Sequence, residues 1–180
     1  MVNVLIVGHG FIGRNLAGLL ASENETSVTV LDRSEIQPKL AGVSYLPGDF
    51  SSREILKEAL REKDLVYHFV SHTIPSSSWD SPQIEIEKNL LPSLQLIELA
   101  AEANVKKIAF ASSGGTIYGF QQGSLTEESR TEPYSPYGII KRTIESFLEY
   151  IRVKEGVNYD IYRISNVYGE GQNIDKGLGL

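Results

Sequence analysis

Short apolar runs rich in β-branched residues alternate along the chain with segments whose apolar residues recur at helical spacing. The first pattern predicts buried strands and the second predicts amphipathic helices. The predicted strands cover residues 2–7, 27–31, 43–46, 65–70, 106–111 and 159–164, and the predicted helices cover residues 11–22, 51–61, 82–103 and 136–154. Strands that alternate with helices predict an α/β fold, a doubly wound parallel sheet with helices on both faces.

Composition and charge narrow the classes of partner. The chain has 180 residues, which suits one domain, and 41% of them are hydrophobic, as in globular proteins that dissolve in water. A net charge of −6 argues against a nucleic-acid or anionic-membrane partner. No apolar run approaches the ~20 residues that span a bilayer, and no signal peptide opens the chain. We therefore expect a cytoplasmic protein.

The residue types also limit the chemistry. The sequence contains no cysteine, which excludes a disulfide scaffold, a thiolate zinc site and a cysteine nucleophile. The three histidines, His9, His68 and His72, lack carboxylate partners at ligand spacing, so no metal site is predicted. His9 and His72 fall in predicted loops, where lining a cofactor or facing solvent is more typical than catalysis.

A glycine motif joins the first predicted strand to the first predicted helix. Gly8, Gly10 and Gly13 fit the spacing GxGxxG. The first glycine permits a tight turn, the second lets the backbone approach a pyrophosphate, and the third lets helix and strand pack closely. The helix N-terminus then offers unpaired N–H groups to the phosphates. The alternative is a strand–turn–helix unit without a ligand.

Asp32 ends the second predicted strand, 19 residues after Gly13. A carboxylate at this place accepts hydrogen bonds from ribose hydroxyls and repels a 2′-phosphate, which favours NAD over NADP. Arg33 weakens that preference, because a guanidinium could pair with the phosphate.

Tyr137 and Lys141 lie four residues apart and therefore on one face of the last predicted helix. Ser135 is placed to cap this helix, and Pro136 suits its first turn. A neighbouring ammonium and a helix N-terminus both stabilise a phenolate, so we expect the pKa of Tyr137 to fall. Tyr137 could then take the proton of an alcohol as hydride leaves its carbon. The alternative is a surface helix whose Tyr and Lys have no special role.

With these motifs in order, the chain resembles the extended short-chain dehydrogenase/reductase family, and within it the NAD-dependent nucleotide-sugar epimerase/dehydratase group. Further matching segments, all in the family's order, are Gly48–Phe50, His68–Ser71, Asn89, Ser112–Gly119, Pro133–Gly138 and Arg163–Gly169. The resemblance spans essentially all 180 residues. It implies a Rossmann domain over residues 1–180 and NAD as the cofactor.

The resemblance assigns roles to individual positions. It implies catalysis by Tyr137 and Lys141, and contact of Asn166 with substrate. It implies cofactor contacts for Gly8, Gly10, Phe11, Ile12, Gly13, Asp32, Arg33, Asp49, Phe50, Phe69, Val70, Ser71, Asn89, Ser112, Tyr137, Lys141, Ile164 and Ser165.

The family's catalytic Ser or Thr normally stands four residues before the tyrosine of the Tyr-Gly segment, and Gly114 occupies that position. The neighbouring hydroxyls of Ser113 and Thr116 are the candidates to replace it. Thr116 is favoured, and it would then also face the substrate. The alternative is that no hydroxyl does this work.

The resemblance leaves several reactions open. Family members share oxidation of the sugar C4 hydroxyl, with the tyrosine as base and NAD as hydride acceptor. Dehydratases of the group carry an Asp-Glu pair where Gly115 and Thr116 stand, and decarboxylases usually keep the Glu. A 4-epimerase needs no further acid and fits best, with a UDP-sugar as the substrate. A 4-ketosugar reductase and a non-catalytic NAD-binding module remain as alternatives.

Two expectations concern the whole assembly. Family enzymes carry a smaller C-terminal domain that binds the nucleotide-sugar, and that domain is absent from these residues. We therefore expect this chain alone to bind NAD but to turn over nucleotide-sugar poorly. The resemblance also implies a homodimer that pairs through helices 82–103 and 136–154.

Overall fold

The computed structural model describes residues 1–34 and 39–172 and contains one six-stranded sheet. The strands are β1 (Val2–Val7), β2 (Thr26–Asp32), β3 (Val43–Pro47), β4 (Leu65–His68), β5 (Lys107–Ser113) and β6 (Asn158–Ile164). The helices are α1 (Phe11–Ala21), α2 (Arg53–Ala59), α3 (Pro82–Ile84), α4 (Leu91–Glu102) and α5 (Pro136–Glu155), and a 3₁₀ turn covers Ser77–Trp79. All predicted strands are confirmed; residues 173–180 of the tail lie outside the described residues.

The sheet has the strand order β3-β2-β1-β4-β5-β6, and every neighbouring pair is parallel. The predicted doubly wound sheet is therefore confirmed. The order reverses between β1 and β4, because the chain returns from β3 at one edge to the middle of the sheet. In such sheets a ligand binds at the carboxyl ends of the strands beside this switch point.

Hydrophobic side chains bury both faces of the sheet. Val4 and Ile6 of β1 pack into a cluster with α1, whereas Leu5 and Val7 point into the larger cluster formed with α2, α4 and α5. Strands covered on both faces need continuous apolar runs rather than alternation, which explains the run at the start of the chain. Among the described residues, no helix is long and apolar enough to cross a membrane.

Two predicted elements are shorter than expected. β4 ends at His68 rather than at residue 70, because its partner β1 ends at Val7 and Gly8 turns away with φ +104°. The second helix begins at Arg53 rather than at residue 51, because Ser52 is its N-cap and accepts the N–H of Ile55. The shifts leave Phe69 and Val70 in the loop after β4, and Ser51 and Ser52 in the loop after β3.

The long helix predicted over residues 82–103 is interrupted by a π-helical segment, Glu85–Leu90, between α3 and α4. Pro92 explains it, since proline has no N–H to donate to a carbonyl four residues earlier and its ring crowds that carbonyl. The N–H of Leu91 instead reaches back five residues to the carbonyl of Ile86. π-Helical turns often lie at functional sites, and this one buries Glu85 and Asn89.

Candidate functional site

Each of the three glycines in the turn has a different steric environment. A side chain on Gly8 would need an unfavourable positive φ and would approach the backbone nitrogen of Val70 to 2.8 Å. A Cβ on Gly13 would overlap the carbonyl oxygen of Gly8. A Cβ on Gly10 would meet nothing within 4 Å, so the backbone there faces open space. The turn therefore leaves a free approach to backbone N–H groups, as a pyrophosphate requires.

A cleft of about 490 Å³ opens beside this turn at the switch point. The cofactor residues predicted from sequence that line it are Gly8, Gly10, Asp32, Arg33, Asp49, Phe50, Phe69, Val70 and Ser71. These residues come from the carboxyl ends of β1, β2, β3 and β4. Four separate segments of the sequence thus meet around one cavity.

Asp32 holds the rim of the cleft in place. One of its carboxylate oxygens accepts the N–H of His9 at 2.7 Å, and the other accepts the N–H of Ser34 at 2.9 Å. The carboxylate is thereby fixed at the end of β2, directly beside the glycine turn. A carboxylate has about four lone-pair sites, so these two bonds leave acceptor capacity for ribose hydroxyls.

The far side of the cleft carries a ring pair and a cation. Phe50 and His72 stack at 5.7 Å between ring centroids, with 23° between their planes. Arg33 lies 3.2 Å from the His72 ring through its Nη1 and is held toward that side. A backbone hydrogen bond from Ser51 is the main cause that lowers the pKa of Asp49, so its carboxylate is ionised. This end of the cleft therefore has a flat ring surface and a carboxylate acceptor, which are the features that an adenine ring needs.

Tyr137 and Lys141 come together on the first turns of α5. Ser135 caps this helix by accepting the N–H of Gly138 at 3.1 Å, and Pro136 occupies its first turn, both as predicted. Lys141 is buried, and its Nζ lies 5.4 Å from the centre of the Tyr137 ring. The same ammonium donates to the carbonyl of Ala111 at 2.9 Å. The predicted pair therefore forms.

The predicted direction of the Tyr137 pKa is wrong for this structure. Burial and, to a smaller extent, the charge of Glu85 raise the pKa of Tyr137 to about 12, against a hydrogen bond with Ser71 that lowers it. Burial likewise lowers the pKa of Lys141 to about 8, and Glu85 opposes that shift. Desolvation and a nearby carboxylate thus outweigh the helix terminus and the ammonium.

Asn89 connects this pair to the cleft. Its side-chain oxygen accepts the N–H of His72 at 2.8 Å, and its Nδ2 donates to Thr73 and to Glu85, each at 2.9 Å. The carbonyl of Asn89 accepts the hydroxyl of Ser93, which also contacts buried His68 at 2.7 Å. Asn89 therefore fixes the loop after β4 rather than pointing freely at a ligand.

The segment after β6 folds back toward the glycine turn. The carbonyl of Glu170 accepts the side-chain N–H of Asn15 at 3.2 Å, and Gly169 approaches the ring of Phe11. Ile12 is half-buried in the same first turn of α1. Asn166 is exposed between these anchors. Ile164 and Ser165 line a second cavity, of about 700 Å³, together with Gly114 and Tyr118.

A buried ion pair ties β6 to α5. Arg163 donates through Nη2 to Glu145 at 3.0 Å, and Glu145 is buried. The Nη1 of the same guanidinium donates to the hydroxyl of Tyr118 and to the carbonyl of Glu127. One side chain thus joins the end of β6, the middle of α5 and the loop after β5.

Comparison with known proteins agrees with this geometry. A profile of the NAD dependent epimerase/dehydratase family matches residues 4–178. The chain belongs to that family. UDP-glucose 4-epimerase from Lactobacillus helveticus is 29% identical over 93% of this chain and 52% of its own length.

Two solved structures share the fold. Thermus thermophilus UDP-glucose 4-epimerase, solved in complex with NAD, has a TM-score of 0.88 and 32% identity with this chain. The match covers 96% of this chain and 58% of the epimerase chain. The Thermotoga maritima UDP-glucose 4-epimerase, solved with UDP-glucose, has a TM-score of 0.88 and 29% identity with the same coverage. This chain spans a little over half the length of these relatives.

Gly114 stands where the resemblance implies a Ser or Thr, and the surrounding structure bears on that position. A Cβ on Gly114 would lie 2.8 Å from the carbonyl oxygen of Arg163, so the backbone leaves no room for Ser or Thr. The hydroxyl of Thr116 is buried without a hydrogen-bond partner, as is that of Ser112. The carbonyl of Thr116 packs where a Cβ on Gly138 would lie, next to Tyr137. Ser113 is partly buried at the end of β5.

Sequence reasoning did not single out Arg14 and Glu85 in this family site. Arg14 lines the cleft one residue after the glycine motif, so a basic residue in the first turn of the motif's helix was the available signal. Glu85 is 1% exposed although Glu87 on the same segment is exposed, and no pattern in the sequence separates the two.

Proposed function

We propose that this chain is the NAD-binding part of an NAD-dependent nucleotide-sugar 4-epimerase that acts on a UDP-sugar. The main support is the Tyr137–Lys141 pair, with Lys141 buried and Tyr137 partly buried, at the same sheet edge as the glycine turn and the cleft. The open backbone at Gly10 and the ionised Asp49 support a dinucleotide in that cleft. NAD, when bound, would supply a hydride acceptor and donor.

The chain's own residues have separate tasks in this proposal. The phenolate form of Tyr137 accepts the proton of the sugar C4 hydroxyl, and the resulting phenol returns that proton to the same oxygen. Lys141 lies beside that phenol and stabilises its deprotonated form. Asp32 and Asp49 hold the adenosine portion of the cofactor, and Arg14 lies beside the glycine turn to meet phosphate charge. Lys141 is buried and Tyr137 is partly buried, which limits the access of water to the proton transfer.

Gly115 and Thr116 support the choice of epimerisation over dehydration. Removing water across two carbons of the sugar needs an additional acid and base. Gly115 has no side chain, and a hydroxyl such as that of Thr116 does not ionise at physiological pH. Inversion at C4 needs only the tyrosine and a reversible oxidation. The geometry therefore favours the reaction with the fewest acid–base groups.

The test is to assay the full-length gene product with UDP-, GDP- and dTDP-sugars and follow the C4 configuration by NMR. We expect inversion at C4 of a UDP-sugar without net consumption of NAD. Net oxidation of added reduced cofactor would instead indicate a 4-ketosugar reductase. Binding of NAD with no turnover of any sugar would favour a binding module.

Replacing the two candidate hydroxyls separately tests the helper role near Gly114. We expect Thr116→Ala to lower kcat by about 10-fold or more, because a hydrogen bond to the reacting oxygen is lost, and Ser113→Ala to leave kcat within about threefold. Steady-state kinetics on the full-length gene product measure both. Equal activity in the two variants would contradict a specific helper hydroxyl.

We also propose a homodimer through the outer faces of the two long helices. Phe147 and Tyr150 make an edge contact on α5 and remain 37% and 51% exposed, and Leu91 of α4 is 55% exposed. Exposed apolar residues that recur along neighbouring helices are typical of an interface. The cytoplasmic location likewise stays a prediction.

Charge inserted into this face should dissociate the dimer. We expect Tyr150→Glu to convert the full-length gene product to monomer in sedimentation velocity, because a buried interface does not accept an unpaired carboxylate. Leu19→Glu is the matched control, since Leu19 is exposed on α1, away from these helices. A dimer that survives Tyr150→Glu unchanged would place the interface elsewhere.

A further inference from the structure

Glu85 is a buried carboxylate to which the proposed reaction assigns no task. It lies on the π-helical segment that packs against α5, and its side chain is nearly inaccessible, with 1% of the residue exposed. One carboxylate oxygen accepts the Nδ2 of Asn89 at 2.9 Å. The other, Oε1, is buried without a hydrogen-bond partner. A buried charge is expensive unless an opposite charge compensates it.

Lys141 is a buried cation, and its charge likewise needs an opposite charge to compensate it. Its ammonium is buried, and the hydrogen bond it makes in the structure goes to the neutral carbonyl of Ala111. Glu85 is the group whose charge favours the protonated form of this ammonium and raises its pKa against the effect of burial. Glu85 and Lys141 thus lie buried on elements that pack against each other, one with a carboxylate and the other with an ammonium.

We propose that Glu85 is a positioning residue of the proton-transfer pair, serving as the buried counter-charge that keeps the Lys141 ammonium charged next to Tyr137. This role rests on the proposed function, because a charged lysine matters to the extent that Tyr137 transfers a proton. Asn89 holds the carboxylate and also holds the loop that carries Ser71 and His72. The counter-charge is thus fixed relative to the cleft.

The other ionisable groups near the pair do not replace this charge. On α5 itself, buried Glu145 is paired with Arg163 at 3.0 Å. From β4, His68 is neutral, because burial and the charge of Lys141 lower its pKa to about 3. From the loop after β4, burial and Arg33 lower the pKa of His72, and an imidazole carries no negative charge in its neutral or its protonated form. On the π-helical segment itself, Glu87 and Lys88 are exposed and solvated. Tyr137 is protonated at neutral pH, since its pKa is about 12.

The test is an NMR titration of the 180-residue chain with ¹³Cε-labelled lysine, in which Lys141→Met identifies the Lys141 resonance. We expect Glu85→Gln to lower the Lys141 midpoint by about 1–3 pH units, because an opposite charge close by has been removed. ¹³Cζ-labelled tyrosine, identified through Tyr137→Phe, should show the Tyr137 midpoint falling as well, since a negative charge no longer opposes the phenolate. Glu87→Gln is the matched control and should move neither midpoint.

An unchanged Lys141 midpoint in a folded Glu85→Gln chain would overturn the proposal. Glu85→Asp keeps the carboxylate and should keep the Lys141 midpoint close to that of the unmodified chain. This second variant still tests the proposal if the glutamine variant does not fold. A fall as large as that expected for glutamine would then mean packing rather than charge. The titration needs no turnover, so a failure of the epimerase proposal would leave its result intact.

Discussion

Tyr137→Phe in the full-length gene product is expected to lower kcat for sugar oxidation by about 10²–10⁴-fold, which is the usual contribution of a positioned proton acceptor. The substitution removes only the phenol oxygen, and the ring that packs beside Lys141 remains. NAD affinity should therefore change by less than about threefold, because no expected cofactor contact other than that of the hydroxyl is lost. Pre-steady-state reduction of the cofactor and a binding titration measure the two effects separately.

Tyr134→Phe is the matched control for this prediction. Tyr134 lies three residues earlier, stacks on Phe120 at 4.1 Å between ring centroids, and is 47% exposed. Loss of its hydroxyl should leave kcat close to that of the unmodified protein. A Tyr137→Phe variant that keeps more than about a tenth of the activity would show that another group takes the proton.

Gly13→Ala should damage both the fold and the cofactor cleft. The new Cβ would overlap the carbonyl oxygen of Gly8, which is backbone and has no rotamer into which to retreat. We expect the free energy of unfolding to fall by about 1–3 kcal/mol, as in other overpacked sites. Because the glycine turn must move, we also expect NAD affinity to fall by about 10- to 100-fold, the equivalent of roughly 1.4–2.8 kcal/mol. Chemical denaturation and isothermal titration measure the two quantities.

Gly18→Ala on the same helix separates crowding from the mere loss of a glycine. A Cβ there would meet nothing closer than a Leu40 methyl group at 3.8 Å. Alanine favours the helix, so this variant should gain about 0.5–1 kcal/mol and bind NAD unchanged. If Gly13→Ala behaved in the same way, the third glycine would not be needed for close packing of the turn.

The sequence predicts local features of this fold better than it predicts burial. The glycine turn, Asp32 at the end of β2 and the Ser135 cap depend on residues near each other in sequence, and all three are found. The Tyr137 pKa depends on burial and on Glu85, which is 52 residues distant in sequence and lies on the π-helical segment that packs against α5. That turn follows from Pro92, and the helical spacing of apolar residues does not by itself predict that the helix is interrupted there.

The second cavity shows the same limit. Ile164 and Ser165 match a family segment, but their place in the fold depends on how β6 pairs with β5 and how Arg163 is bound. The spacing of residues along the chain predicts neither the pairing of β6 with β5 nor the contacts of Arg163. The stacking of His72 on Phe50 also joins two loops that the sequence leaves 22 residues apart. Contacts of this kind become visible once the sheet order is known.

The strand order has a consequence for synthesis on the ribosome, where N-terminal segments emerge first. The block β3-β2-β1-β4 is contained in the first 68 residues, so four adjacent strands are available before β5 exists. The glycine turn, Asp32 and Asp49 belong to this block, whereas Tyr137 and Lys141 follow much later. A nascent chain would thus complete its dinucleotide-binding segments before its proton-transfer groups are synthesised. The edge of β4 would stay unpaired until β5, Lys107–Ser113, is available to pair with it.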